Sequence, residues 1–125
     1  MEYIGQLVGA IVALFGVGTY IYDKVVSRRD LTIDKVGELL EEYHEKYAGL
    51  EIEGHYKEHV RFLSKIEQFC IAVDSKVYDR RTLRKFGSKF LTNLYKQYEN
   101  NVIARRRTQF KDGCYRYFEK LVKWF

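Results

Sequence analysis

The chain has 125 residues, with 22 Lys and Arg against 17 Asp and Glu, no proline, and an aromatic set of 11 Tyr, 8 Phe and 1 Trp. That length allows one domain, the aromatic content excludes a disordered tail, and the lack of proline favours long uninterrupted helices. The two cysteines, Cys70 and Cys114, form no CxxC pair, which argues against a zinc or redox site.

The first element is the run from Tyr3 to Tyr22, YIGQLVGAIVALFGVGTYIY, which carries no charge. At about 1.5 Å per residue it spans the ~30 Å hydrocarbon core of a bilayer. Tyr3 at one end and Tyr20 and Tyr22 at the other suit the aromatic belts of a membrane helix. Residues 1–22 are therefore expected to form a transmembrane helix. A cleaved signal peptide fits poorly, because Glu2 precedes the run where cations belong and no small-residue cleavage site follows. A buried helix of a soluble protein fits poorly too, because four glycines weaken it. All 22 Lys and Arg follow Tyr22, and the remainder of the chain carries 16 of the 17 acids, a net of +6. The positive-inside rule then predicts a single pass through the inner membrane, N-terminus outside and C-terminus cytoplasmic.

On a helix, Gly5, Gly9, Ala13 and Gly16 share one face with Gln6. Small residues let helices approach closely in lipid, and a glutamine hydrogen-bonds across such a contact, so the face predicts a homo-oligomer. The bland alternative is that glycine is simply common in membrane helices.

Residues 23–33 read as a juxtamembrane connector, and 34–125 as a helical cytoplasmic domain. Val36, Leu39, Leu40, Tyr43 and Tyr47 recur at helical spacing and stop at Gly49. A second helix is expected from about His55 to Lys76, on the stripe Tyr56, Val60, Leu63, Ile66, Phe69, Cys70 and Val73. Cys70 reads as a buried small hydrophobe there. Asp79 is the expected N-cap of a third helix reaching about Arg106, with Phe86 and Phe90 on its apolar stripe. After Gly113, YRYFEKLVKWF closes the chain as a fourth. The expected fold is all-α: one N-terminal transmembrane helix followed by a three- or four-helix cytoplasmic bundle.

Two groups of side chains suggest chemistry. His55 and His59 stand at i, i+4, the ligand spacing of a zinc helix, but no third ligand is specified and a solvated polar face is the plainer reading. Arg80, Arg81, Arg84 and Lys85 form one basic cluster, and Arg105, Arg106 and Arg107 a second. Forked guanidinium groups suit phosphate, so both are candidate anion-binding sites. Cations near 105–107 also complement the dipole at a helix C-terminus. With no P-loop, no GxSxG and no Cys-His pairing, the expectation is a non-enzymatic protein without metal or cofactor. Its expected partners are membrane lipid, further copies of itself, and a protein partner or anionic nucleotide. Sequence-specific nucleic-acid binding is not expected, because the stacking motifs for RNA are absent.

Three segments, FLSKIEQFCIAV, YDRRTLRKFGSKFL and YRYFEKLV, all within 61–125, carry a resemblance. They resemble bacterial proteins of unassigned activity that have an N-terminal membrane helix and a short helical cytoplasmic domain. The shared positions are Ile66 and Glu67 on one helix, then Asp79 at a cap and Gly87 within the next. The resemblance implies a membrane-anchored helical protein, of a kind suspected in defence against phage. On that basis the expected function is a membrane-disrupting antiphage effector that self-associates through its membrane helix. The alternative is an anchor whose basic domain senses a nucleotide or recruits a protein.

Overall fold

The computed structural model describes residues 24–110 and 113–125, which form helices and the turns between them, with no strand among them. The expected membrane helix, with Gly5, Gln6, Gly9, Ala13 and Gly16, lies outside the described residues. Among those described, no helix is long and apolar enough to cross a membrane.

Residues 24–42 are one α-helix, α1. The stretch 24–33, expected as a connector, is thus helical and continuous with the amphipathic pattern that follows. It contains neither proline nor glycine, and Thr32 anchors it. The Thr32 hydroxyl donates to the Arg28 carbonyl at 2.7 Å and accepts the Asp79 N–H at 2.8 Å. Thr32, Val36 and Leu39 form the buried stripe of α1. The helix runs on as a π-helical turn, Tyr43–Tyr47, in which the Ala48 N–H reaches back to the Tyr43 carbonyl at 2.8 Å. The turn sets both Tyr43 and Tyr47 against the ring of Phe62, with centroids 5.8 and 4.7 Å away.

Helix α2, Tyr56–Asp74, buries His59, Phe62, Leu63, Ile66, Phe69, Cys70 and Val73 at steps of three and four. Each large apolar side chain fully removed from water contributes about 1.5–3 kcal/mol. Cys70 is a core residue as expected, and burial pushes its thiol well above the ordinary range, with Glu67 adding to the shift. The helix ends in a Schellman turn: the Val77 N–H bonds the Ala72 carbonyl at 2.9 Å and the Lys76 N–H bonds the Val73 carbonyl at 3.1 Å. Lys76 takes the left-handed position of this turn, φ 66°, where glycine is usual.

The expected third helix is broken. Helix α3, Arg80–Phe86, stops at Gly87, and α4, Ser88–Tyr98, starts beyond it. A Cβ at Gly87 would lie 2.7 Å from Leu83 Cδ1, 3.2 Å from the Leu83 carbonyl oxygen and 3.4 Å from Val36 Cγ1. Glycine thus lets the break press against both α3 and α1. A π-helical turn, Glu99–Ile103, then joins α4 to α5, Ala104–Phe110. Asn101 explains this turn in part: its amide donates to the Gln97 carbonyl at 2.9 Å, and its oxygen accepts the Val102 N–H at 2.5 Å. Phe90, expected in the core, is only partly buried, and Phe86 is 56% exposed. The bend at Gly87 aims them at the groove beside α1 rather than at the centre.

Helix α6, Arg116–Trp124, packs on α2 and α4. Phe118 meets Tyr95 edge-on, with ring centroids 5.2 Å apart. The N-terminus of α6 is capped by another helix. Glu67 of α2 accepts the N–H groups of Tyr117 and Phe118 at 2.8 and 3.0 Å. The chain enters α6 through Tyr115 at φ 62°, a left-handed residue that turns the backbone towards that cap. All four of the positions shared in the resemblance therefore have structural work: Ile66 is buried in the core, Glu67 caps, Asp79 ties α3 to α1, and Gly87 permits close approach.

Candidate functional site

Arg80 and Arg84 stand one turn apart on α3, so they share a face. Both guanidinium groups lie over the ring of Trp124 in the last turn of α6, 4.8 and 4.7 Å from its centroid. Two of the four expected anion ligands of the first cluster thus clamp the C-terminal helix, each contact contributing about 0.5–1 kcal/mol at an exposed site. Arg80 also lies 3.8 Å from Asp74, which Lys120 approaches to 3.1 Å. Arg81 and Lys85 remain exposed, the Lys85 ammonium 5.8 Å from the Phe86 ring.

The second cluster is occupied differently. Arg105 stacks over Tyr56 at 4.8 Å and Arg106 over Phe110 at 4.5 Å. Arg107 is structural: it donates to the Cys114 carbonyl at 3.0 Å and to Glu119 at 2.7 Å, bracing α5 against the start of α6. Lys123, 2.8 Å from Glu119, holds that carboxyl below its ordinary range against the opposing effect of burial, and Arg107 adds to the shift. The Tyr115 hydroxyl lies beside Arg106, and both it and Arg106 Nε are buried without a hydrogen-bond partner among the described residues. The first cluster meets α6 at Trp124 and the second, through Arg107, at Glu119, five residues or about 7.5 Å of helix away. They do not form one site.

What the fold does assemble is a cleft of about 300 Å³ beside Arg80. Arg28 of α1, Lys76 of the α2–α3 turn, Arg80 of α3 and Lys120 of α6 line it, together with Asp74 and Asp79. The Thr32–Asp79 bond fixes α1 against the start of α3 and so brings Arg28 to the cleft. Asp79 occupies the expected N-cap position, but its carboxylate accepts the Thr82 hydroxyl instead of a backbone N–H. Of the cleft's cations the basic-run pattern identified only Arg80. Lys76 and Lys120 are isolated cations in the chain, and Arg28, paired with Arg29, reads only as the basic flank of the apolar run.

The His55–His59 pair separates. His55 is exposed ahead of α2, whereas His59 is fully buried, not on a solvated face. His59 Nε2 donates to the Leu50 carbonyl at 3.0 Å, which makes Nδ1 the acceptor of the Tyr98 hydroxyl at 2.5 Å. Both ring nitrogens are therefore used within the protein. Burial lowers the His59 pKa and raises that of Tyr98, so both stay neutral near pH 7. Among the described residues, no group of three or more His, Cys, Asp or Glu is placed to hold a metal ion. A second cavity, about 460 Å³, lies between α1 and α4 and is lined by Leu40, Tyr43, Phe86, Lys89, Phe90 and Gln97 among others.

One family model, described as a domain of unknown function (DUF4760), matches residues 3–124. No curated protein and no solved structure matches the chain.

Proposed function

The chain belongs to the DUF4760 family, and from that premise we propose that it is a non-enzymatic, single-pass membrane protein that self-associates through residues 3–22. The observation that carries this reading is the uncharged run itself, with Gly5, Gly9, Ala13 and Gly16 on one face and Gln6 beside them. The family match begins at residue 3 and so includes the run. Lys24, Arg28 and Arg29 follow it directly, which supports a cytoplasmic C-terminus. Self-association in the bilayer is the step that leads to a membrane-disrupting effector. The alternative, an anchor that recruits an anionic or protein partner, draws support from the basic cleft beside Arg80.

The test is made on the full chain expressed in bacteria. Alkaline extraction reports insertion, crosslinking in membranes reports assembly, and a potential-sensitive dye reports depolarisation. Gly9→Ile pushes the helix backbones apart and is expected to reduce crosslinked species several-fold, while Ile11→Leu on the opposite face leaves them unchanged. Both variants stay in the membrane. Assembly without depolarisation makes the protein an anchor. Release of the parent chain by alkali, or Gly9→Ile with full assembly, overturns the proposal.

A further inference from the structure

We infer that the cleft lined by Arg28, Lys76, Arg80 and Lys120 is a binding site for a phosphate-bearing anion. Four cations face two carboxylates there. Asp74 is shared between Arg80 and Lys120, at 3.8 and 3.1 Å, and Asp79 is engaged by Thr82. Among the described residues, neither Arg28 nor Lys76 has a carboxylate within ion-pair distance. The cleft therefore holds an excess of two positive charges, brought together from four separate segments of the chain. Holding like charges together opposes folding unless an anion offsets them. A phosphoryl group does so well, since it accepts forked bonds from arginine and point contacts from lysine.

Lys76 is the second, independent observation. It sits at φ 66° in a turn that glycine fits without strain. The helix dipole rewards any cation near this C-terminus, but a cation one residue earlier, in place of Ser75, gains the same without a left-handed backbone. At position 76 the side chain lines the cleft.

The phosphate has two natural sources. Arg28 follows Tyr22 by six residues, so even a fully extended chain keeps it within about 22 Å of the end of the apolar run. If that run lies in the bilayer, an anionic lipid headgroup is within reach; a soluble phosphate compound needs no membrane. The choice of the lipid source rests on the membrane reading, and the phosphate site does not.

Trp124 is the chain's one tryptophan and lies 4.8 Å from the Arg80 guanidinium, so it reports on the cleft. The experiment titrates the full chain, in neutral detergent at constant ionic strength, and follows Trp124 emission. The probes are inorganic phosphate and dioctanoyl phosphatidylglycerol, with dioctanoylglycerol as the phosphate-free control. We expect a saturable change with at least one phosphate probe and none with the control. Saturation by phosphate itself assigns a soluble source, and saturation by the lipid alone assigns a headgroup. Lys76→Gly relieves the left-handed residue while removing a cation, so its melting temperature should hold or rise as affinity falls about tenfold. Arg28→Gln should weaken binding to a similar degree with helicity intact. No saturable response to either probe, or unchanged affinity in both variants, overturns the inference. An alkali-released chain that still binds phosphate would overturn the membrane proposal and leave this one standing.

Discussion

Removing the Glu67 carboxylate tests how α6 is held. In Glu67→Ala the N–H groups of Tyr117 and Phe118 lose acceptors at 2.8 and 3.0 Å. A hydrogen bond to a charged group contributes about 1.5–3 kcal/mol net, so two at the low end give about 3. Glu67 is only partly buried, and water reaching the vacated site returns some of this. About 2 kcal/mol remains, at the upper end of the range for losing an N-cap. For a domain of about a hundred residues, each kcal/mol moves the melting temperature by roughly 4 °C. Circular dichroism at 222 nm on the full chain in neutral detergent should therefore show Glu67→Ala melting about 8 °C lower. Glu67→Gln keeps an oxygen acceptor but loses the charge that favours a helix N-terminus, and should fall about half as far. A Glu67→Ala chain melting within about 2 °C of the parent would refute the capping account. So would Glu67→Gln falling as far as Glu67→Ala.

Stability should depend on pH in two windows. His59 has a folded pKa below its ordinary 6.5, so the unfolded chain takes up the proton first; stability is full above pH 6.5 and declines below it, and His59→Gln should flatten that slope in denaturant titrations. Glu119 has a folded pKa below its ordinary 4.5, so its contribution is present above that pH and is lost as pH falls through the folded value; Glu119→Gln should remove this second decline. Two glycines should respond in opposite directions. Gly87→Ala drives a Cβ onto Leu83 and should cost about 1–3 kcal/mol, whereas Gly37→Ala, in open space on α1, should gain up to about 1 kcal/mol, both read from chemical unfolding midpoints.

Helical periodicity along the chain is enough to show that the described residues are all-α and where most helices bury their faces. The stripe Leu63, Ile66, Phe69, Cys70 and Val73 is a local property, because 3.6 residues per turn puts those positions on one side whatever packs against them. His59 belongs to the same stripe, four residues before Leu63, but its polarity argued for solvent; only Tyr98 and the Leu50 carbonyl, supplied by other segments, make its burial affordable. Helical periodicity also survives the break at Gly87 and the π turns at Tyr43–Tyr47 and Glu99–Ile103, so the pattern read as unbroken helix where the tertiary structure bends it. The basic clusters were visible as runs, yet stacking on Trp124, Tyr56 and Phe110 sent their members to separate tasks. The cleft was not visible at all. Its cations lie at positions 28, 76, 80 and 120, and no periodic signal spans such separations. What joins them is the packing of α1, α3 and α6 around α2, which depends on contacts between distant residues and not on the order of neighbouring ones.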